Sequence, residues 1–463
     1  MSKDPKYIYF IGIGGIGMSA LAIYFHQQGK IVSGYDKTPS KLTNQLTAMG
    51  IEVGFGDGVQ HLPAYLQPQI DHKREDTLVV FTPAVPKENV LLNYFFNNRF
   101  RVIKRSVCLA QIVNGSTLVA VGGTHGKTTT STLIAHIFKL ANKSFTAILG
   151  GISGNYSTNL LWQGNEFFIT EADEFDRSFM HLLPDVEIIT STDADHLDIY
   201  KNAQTLVNAY QDFTKNIKPN GLLIYKYGLP LDTKHLKNAQ TYGLNHNAQS
   251  KAQNIRIENS TYLFDFADQH HIISDITCGL AGKHNIENAV AAIAVARHFG
   301  IDDQTIKQAV ATYKGAKRRF EYQINTKKRI FIDDYAHHPT EIEALVHSVR
   351  AMYPNKKITG IFQPHLYSRT RDFGIDFAKE LSKLDEVILL PIYPAREQPI
   401  ENISSEWLMA LISNKNKKIV DKNELINVVL QQDPEVLLTI GAGDIDGLVE
   451  PLANALLERD MRP

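Results

Sequence analysis

The chain alternates short apolar runs with longer stretches in which apolar residues recur at helical spacing. Short apolar runs bounded by turn residues predict buried strands, and the longer stretches predict helices. This alternation persists nearly throughout, which favours an α/β fold built on parallel sheets. Strands are predicted over residues 7–11, 31–35, 78–81, 118–121, 167–169, 186–190, 222–225, 330–332, 357–362, 387–390 and 436–440.

Helix signals divide these strands into three consecutive units. Helices are predicted to about Gln28, over 129–140, over 286–299 with Gly300 as C-terminal cap, and from Pro339 onward. At 463 residues the length also favours about three domains. We predict a Rossmann-like domain over 1–112, a central P-loop ATPase-like domain over 113–320, and a Rossmann-like C-terminal domain over 321–463. Within the central domain, alternation without helices over 255–276 predicts antiparallel ribbons in addition to a parallel sheet.

The segment 122–128 (GGTHGKT) lies between a predicted strand and a predicted helix. Strand, glycine turn and helix start together direct backbone N–H groups at an anion. Lys127 would then reach the outer phosphates of a nucleotide, and the Thr128 hydroxyl would bind its metal. The usual phosphate-loop pattern has glycine where this chain has Val121, so the loop is one turn tighter. The alternative is an ordinary strand–helix turn.

Acidic side chains follow the next two central strands. Glu171, in the segment 169–174 (ITEADE), is placed to hold Mg²⁺ because carboxyl ends of parallel strands face the ligand crevice. His196, in the segment 193–198 (DADHLD), is a candidate second metal ligand. A solvated acidic turn and an inert loop histidine are the respective alternatives.

A second glycine pattern, in the segment 12–17 (GIGGIG), also lies between strand and helix, and Asp36 follows it at dinucleotide-fingerprint spacing. Taken alone, the pattern predicts NAD. The same N–H groups hold any diphosphate, including that of a nucleotide sugar. A tight turn without a ligand is the remaining alternative.

Further candidates lie around the boundary between the second and third units. Asn285 is either a helix cap or a ligand contact, and Asn288 would share its helix face. Arg319 is placed to stabilise a transferring phosphoryl group, with a solvated basic linker as the alternative.

Two further strand ends in the third unit carry histidine or arginine. His337 and His338 are adjacent and so point in different directions, which favours substrate contact over metal binding. Arg369 and Arg371 are candidates for holding a carboxylate through paired N–H bonds.

Composition narrows the class of protein. Hydrophobic residues make up 43% and charged residues 21%, and 48 basic against 49 acidic residues argue against nucleic-acid binding. No apolar stretch reaches the roughly 18 residues of a membrane span, and no secretory signal is recognisable, so we expect no membrane insertion. Cys108 and Cys278 have no metal-binding spacing, and we expect them to be reduced and buried in a cytoplasmic protein.

Three blocks in this order, GIGGIGMSALA, EADEFDRSFMHL and DDYAHHPTE, resemble the Mur ligase family of peptidoglycan synthesis over nearly the whole chain. The family's shortened phosphate loop resembles the one here. The resemblance implies domains for a UDP-sugar, for ATP with Mg²⁺ and for an amino acid, in that order. It implies an ATP-dependent ligase that joins L-alanine to UDP-N-acetylmuramate through an acyl phosphate. We expect a monomer or weak homodimer.

The expected site residues fall into four groups, with Lys127, His196 and Arg319 as the catalytic group. Nucleotide contacts are expected from Gly123, Thr124, His125, Gly126, Lys127, Thr128, Thr129, Asn285, Asn288, Arg319 and Asp334. Substrate contacts are expected from Gly14, Gly15, Ile16, Gly17, Asp36, Thr82, Asn159, His337, His338 and Arg369. Metal ligands are expected to be Thr128, Glu171 and His196.

The chain departs from the family pattern at two places. Relatives that add later residues carry a modified lysine near the position of Gln211, and its absence here agrees with an alanine-adding enzyme. Many members have arginine where this chain has Leu366, which puts more weight on Arg369.

Three alternatives stay open at this point. A ligase of the same family adds a tripeptide to the same sugar, although its first glycine loop is usually less regular. An NAD-dependent oxidoreductase would explain segment 12–17 but not the second glycine loop. A nucleotide-sugar sensor without ligase activity would explain both loops.

Overall fold

A computed structural model describes residues 4–67, 75–194, 197–200, 202–258, 261–395 and 397–461. Within them, three β-sheets with flanking helices confirm the predicted α/β class. The chain divides into two compact units: the first comprises residues 1–252, 266–273 and 288–310, and the second comprises 253–265, 274–287 and 311–463. Both glycine loops therefore belong to the first unit. No helix in the described parts is long and apolar enough to cross a bilayer.

The first sheet is parallel and has the strand order β3-β2-β1-β4-β5. Its strands are β1 (Tyr7–Ile11), β2 (Ile31–Tyr35), β3 (Glu52–Gly54), β4 (Thr77–Phe81) and β5 (Arg101–Lys104). Its helices are α1 (Ile16–Gln27), α2 (Lys41–Ala48), α3 (Val90–Asn97) and α4 (Arg105–Val113). The strand order reverses at β1, and ligands bind open α/β sheets at such a reversal, beyond the carboxyl ends of the strands. The first glycine loop follows β1 at this position.

The second sheet has ten strands. Its strands are β6 (Thr117–Gly122), β7 (Phe145–Ile148), β8 (Leu160–Trp162), β9 (Phe167–Glu171), β10 (Val186–Ile189), β11 (Leu222–Lys226), β12 (Asn238–Gly243), β13 (Ser250–Glu258), β14 (Thr261–Ala267) and β15 (Ile272–Cys278). Its helices are α5 (Lys127–Leu140), α6 (Leu197–Tyr200), α7 (Ala203–Phe213), α8 (Lys283–His298) and α9 (Asp303–Thr312). The order is β15-β14-β13-β12-β11-β10-β6-β9-β7-β8, with β8 antiparallel to β7.

Parallel pairing places the functional edge of this sheet. β6 lies between β9 and β10 and runs parallel to both. Their carboxyl ends therefore meet at one edge, where the phosphate loop follows β6 and Glu171 ends β9. The acidic residue and the loop thus lie together as the sequence predicts.

The third sheet has the order β16-β17-β21-β18-β19-β20, with β16 antiparallel to β17. Its strands are β16 (Glu321–Asn325), β17 (Ile330–Asp334), β18 (Ile358–Phe362), β19 (Glu386–Leu389), β20 (Lys417–Ile419) and β21 (Val436–Ile440). Its helices are α10 (Pro339–Met352), α11 (Tyr367–Leu381), α12 (Ser405–Leu411), α13 (Lys422–Gln432) and α14 (Asp446–Met461).

The predicted elements are confirmed, and most strand bounds differ from the predicted ones by no more than two residues. Gly300 follows α8 with φ +67°, as a C-terminal cap requires, and Pro339 is the first residue of α10. Of the two roles considered for Asn285, that of a helix cap is excluded, because α8 already begins at Lys283. The short polar edge strands β16 and β20 have no apolar run and were not predicted.

A carboxyl group lies unexpectedly in the core. Glu187, in the middle of β10, is fully buried, and neither of its oxygens has a hydrogen-bond partner within the described residues. Burial disfavours the charged form and raises the pKa of Glu187 well above its ordinary value of 4.5. The folded chain therefore holds a proton there that the unfolded chain releases.

We predict that Glu187→Gln becomes progressively more stable than the wild type as the pH rises above 4.5. The folded state binds the extra proton, so wild-type stability falls as the pH rises from the unfolded pKa to the folded one, by about 1.4 kcal/mol per pH unit. Gln removes this slope. Urea midpoints for both proteins at pH 5 and 7.5 test this, with Glu166→Gln at an exposed position as control. A difference between Glu187→Gln and wild type that does not vary with pH would contradict the prediction.

Candidate active site

The phosphate loop connects β6 to α5 through two glycines with left-handed backbone. Gly123 has φ +123° and Gly126 has φ +85°. A Cβ at Gly123 would lie 2.1 Å from Thr190 Oγ1, and one at Gly126 would lie 2.6 Å from Asn288 Oδ1. Neither position has room for a side chain, so the loop backbone lies directly against the end of β10 and against α8.

Side chains after β10 hold this loop in place. Thr124 Oγ1 donates to the Asp193 carbonyl at 2.7 Å, and the His125 N–H donates to Ser191 Oγ at 2.8 Å. The Thr190 hydroxyl donates to the His125 carbonyl. Hydrogen bonds to the segment after β10 therefore fix the conformation of the phosphate loop. Thr190 and Ser191 were not predicted as loop contacts, although Thr190 ends the predicted strand 186–190 and Ser191 directly follows it.

Lys127, the first residue of α5, is held by a buried carboxylate. Its Nζ lies 2.9 Å and 2.8 Å from the two oxygens of Glu174 and donates to the Gly123 carbonyl at 2.5 Å. Burial opposes the charge on the ammonium, but the carboxylate of Glu174 outweighs it and raises the pKa of Lys127. Glu174 belongs to the acidic segment 169–174, but the sequence pattern predicted no role for it.

Glu171 is close to the start of α5. It accepts hydrogen bonds from Thr128 Oγ1 at 3.1 Å, from Ser131 Oγ at 3.2 Å and from the Gly150 N–H at 2.9 Å. Carboxylate and hydroxyl oxygens are ligands suited to Mg²⁺, so this donor set fits that ion. Thr129, next to Thr128, is buried in the same helix.

The second predicted metal ligand, His196, lies outside the described residues. Within the described residues, no group of three or more His, Cys, Asp or Glu is arranged to hold a metal ion. The part of the predicted metal site that the structure describes is therefore the Thr128–Glu171 pair.

The two asparagines of α8 differ in their surroundings. The amide nitrogen of Asn285 donates to the Ala281 carbonyl at 2.6 Å, so this side chain binds the preceding backbone instead of capping the helix. Asn288 is buried, and its Oδ1 faces the phosphate loop at Gly126. Of the two, Asn288 lies at the loop itself.

The first glycine loop holds its own carboxylate. Oδ2 of Asp36 accepts the Gly14 N–H at 2.7 Å. Gly12 has φ +87°, and a Cβ there would lie 2.8 Å from the Thr82 methyl group. Gly15 directly precedes α1, which begins at Ile16 and contains Gly17. Asp36 therefore lies at the loop, as its spacing predicts, and Thr82 lies there too.

Asn159 supports helix α1 from beneath. It is 1% exposed, and its amide nitrogen donates to the Ile16 carbonyl at 2.6 Å and to Ser19 Oγ at 2.9 Å. In this structure the side chain is enclosed and its donor group is used within the protein, and a substrate contact by Asn159 stays a prediction.

Arg105 connects the two loop regions within the first unit. Its Nη2 lies 3.0 Å from Asp173 Oδ2, and a Cβ at Gly17 would lie 2.7 Å from its Nη1. The guanidinium thus crosses the first turn of α1 and ends one residue from Glu174. Arg105 was not predicted as a site residue, since a lone arginine outside any motif carries no pattern.

In the second unit, Arg318 and Arg319 lie against the ring of Tyr335, with guanidinium carbons 5.2 Å and 5.1 Å from its centroid. Arg318 also binds Asp333, Nε to Oδ2, at 3.0 Å. Arg319 Nη1 lies 3.6 Å from Glu341 Oε1. Attraction to the ring face and to these carboxylates fixes the direction of both arginines.

Asp334 ends β17 and secures the same turn. Its carboxylate accepts the Phe320 N–H at 2.7 Å and the Ala336 N–H at 2.8 Å. Burial outweighs the opposing charge of Arg319 and raises the pKa of Asp334 to about 6. In this structure the carboxylate therefore joins the backbone that precedes β16 to the backbone that follows β17.

The two adjacent histidines have different surroundings, as expected. His337 Nδ1 lies 3.3 Å from Glu341 Oε2, and its ring centroid is 6.3 Å from that of His365. His338 caps α10 by accepting the Thr340 N–H at 3.4 Å and is buried. His338 therefore has a structural role that the sequence did not predict.

Arg369 lies in the first turn of α11, with Nη1 3.4 Å from His365 Nδ1. Arg371 instead pairs with its exposed neighbour Asp372 and does not join this cluster. Leu366 precedes α11 with φ +68°, a conformation that costs a residue other than glycine of order 1–3 kcal/mol. This bend sets the direction in which α11, and Arg369 with it, begins.

Three sequence profiles match the chain: "Mur ligase family, catalytic domain" over 7–117, "Mur ligase middle domain" over 121–296, and "Mur ligase, glutamate ligase domain" over 318–443. Two UDP-N-acetylmuramate–L-alanine ligases, from Flavobacterium psychrophilum and Christiangramia forsetii, are 49% and 46% identical, covering 98% of both chains in each case.

Solved structures agree. The UDP-N-acetylmuramate-alanine ligase of Thermotoga maritima has a TM-score of 0.81 at 27% identity, covering 98% of this chain and 99% of that one. A murein peptide ligase of Psychrobacter arcticus has a TM-score of 0.71 at 22% identity, covering 97% and 98%, and supports the fold alone.

Proposed function

Because the chain belongs to the Mur ligase family, we propose that it is an ATP-dependent ligase joining L-alanine to the lactyl carboxylate of UDP-N-acetylmuramate, with ADP and phosphate as products, in peptidoglycan synthesis. The observation that carries the proposal is the presence of two separate anion-binding glycine loops in one compact unit. One loop suffices for a dehydrogenase, whereas a ligase of this kind binds two phosphate-bearing molecules together.

The first loop is assigned to the diphosphate of the UDP-sugar. Its backbone N–H groups follow β1 and open α1, which is the arrangement that binds a diphosphate at a helix N-terminus. Gly14, Gly15, Ile16 and Gly17 would supply that contact, with Asp36 and Thr82 beside them.

The second loop is assigned to ATP. Residues 123–129 would surround the phosphates, and Asn285 and Asn288 would contact the rest of the nucleotide. Thr128 and Glu171, together with His196 outside the described residues, would hold Mg²⁺. When bound there, the ion supplies positive charge to the phosphates.

The proposed reaction has two steps. An oxygen of the lactyl carboxylate attacks the γ-phosphorus, and ADP leaves with the bond electrons. The alanine amine then attacks the acyl phosphate carbon, loses a proton and expels phosphate. Lys127 and Arg319 would offset the charge that develops in the first step, with Asp334 supporting the arginine turn.

The third part of the chain is assigned to L-alanine. Arg369 carries the fork of N–H donors that suits a carboxylate, and it lies beside His365 and near His337. The free, buried cysteines Cys108 and Cys278 fit the proposed cytoplasmic location, where thiols stay reduced. The proposed domain bounds are 1–112, 113–320 and 321–463.

The assay that tests this function measures phosphate release from ATP with UDP-N-acetylmuramate and one amino donor at a time. We expect release with L-alanine and none with a tripeptide donor. Release with the tripeptide alone would assign the chain to the other ligase of the family. Release with neither donor would reject the ligase proposal, and NAD binding to the first loop would favour an oxidoreductase.

Lys127→Ala should lower phosphate release by about a hundredfold or more, because a fixed positive charge at the transferring group is lost. UDP-N-acetylmuramate binding, measured by calorimetry, should be nearly unchanged, since the first loop lies on a different sheet. Equal loss of sugar binding and phosphate release would show that the two loops were assigned wrongly.

Arg369→Lys should raise KM for L-alanine by about tenfold to a hundredfold, the scale of a charge-assisted hydrogen bond, since Lys cannot form the two parallel bonds. KM for ATP should change little. The matched control is Arg371→Lys, because Arg371 is exposed and paired with Asp372. If the KM for ATP rises instead, Arg369 belongs to the phosphate site.

A further inference from the structure

We propose that Glu174 is a positioning residue that takes the place of nucleotide phosphate on Lys127, and that an incoming nucleotide must displace it. The inference rests on the proposed function to the extent that the loop over 122–128 is taken as the nucleotide site. In this role Glu174 keeps the empty loop ordered, and it lowers the affinity of the loop for a nucleotide.

The ammonium group of Lys127 has no spare N–H donor. A lysine has three N–H groups. Two of the three meet the Glu174 oxygens at 2.8 Å and 2.9 Å, and one meets the Gly123 carbonyl at 2.5 Å. A phosphate oxygen can therefore bind Lys127 only by replacing one of these three oxygens, two of which belong to Glu174.

Glu174 is fixed in place and enclosed by the protein. Its side chain is 2% exposed, and its backbone carbonyl accepts the Tyr200 hydroxyl at 2.5 Å. Once Lys127 turns to a phosphate, the carboxylate would remain buried without its counter-charge. Leaving a buried charge unpaired is costly, so the pair opposes nucleotide binding.

The Tyr210 hydroxyl is placed to donate a hydrogen bond to the Glu174 carboxylate once Lys127 has moved away. Tyr210 on α7 is fully buried, and its hydroxyl makes no hydrogen bond of normal length and angle within the described residues. Burial, followed by the nearby negative charge of Glu174, raises the pKa of Tyr210 well above its ordinary value. Its proton is therefore retained, and the hydroxyl already interacts with the side chains of Thr124 and Glu174, so it lies beside the carboxylate when Lys127 leaves.

The test is calorimetric titration of the full chain with Mg–ADP. Glu174→Gln keeps the shape but removes the competing charge, so we expect ADP to bind about tenfold more tightly than to wild type. Tyr210→Phe removes the waiting donor, so we expect weaker ADP binding. A purely structural role for the Lys127–Glu174 pair predicts weaker binding for both variants. Unchanged or weaker binding by Glu174→Gln would overturn the proposal.

Controls separate this inference from the proposed function. Glu166→Gln removes an exposed carboxylate and should bind ADP as wild type does. Titration with UDP-N-acetylmuramate reports whether each variant is folded. If Glu174→Gln does not fold, Glu174→Asp decides, because its shorter carboxylate cannot hold both contacts and ADP should still bind more tightly than to wild type. Absence of ADP binding by wild type would instead reject the nucleotide site itself.

Discussion

The close approach of backbone to backbone at the phosphate loop is the constraint on which the rest of the first unit depends. A single added carbon at Gly123 would lie 2.1 Å from Thr190 Oγ1. The end of β10, the loop and the start of α5 are therefore fixed relative to each other by van der Waals contact. Only this packing brings Lys127 and Thr128 to the sheet edge where β9 presents Glu171.

At both glycine loops, N–H donors that could bind an anion are paired with carboxylates of the same chain. Asp36 accepts the Gly14 N–H, and Glu174 binds Lys127. Buried donors without partners are costly, so an empty loop needs such acceptors to stay folded. Under the proposed function, ligand binding at either loop would exchange one acceptor for another.

Much of the fold and part of the site could be predicted from the sequence. Buried parallel strands are continuous apolar runs, and candidate site residues at their ends, such as Glu171 and Asp334, follow from the runs directly. The polar edge strands β16 and β20 carry no such signal.

What the sequence could not predict were contacts between polar residues far apart along the chain. The pairs Lys127–Glu174 and Arg105–Asp173 depend on which strands become neighbours, and no local pattern encodes that. The same reason explains why the burial of Asn159 beneath α1, which depends on tertiary packing, was not predicted.

The contact between Arg105 and Asp173 places one positive charge between the two glycine loops. The guanidinium crosses α1 at Gly17, while its partner carboxylate directly precedes Glu174. A ligand at either loop that moved this guanidinium would change the surroundings of the other loop. Thermodynamic reciprocity would then require each ligand to change the affinity for the other by the same factor.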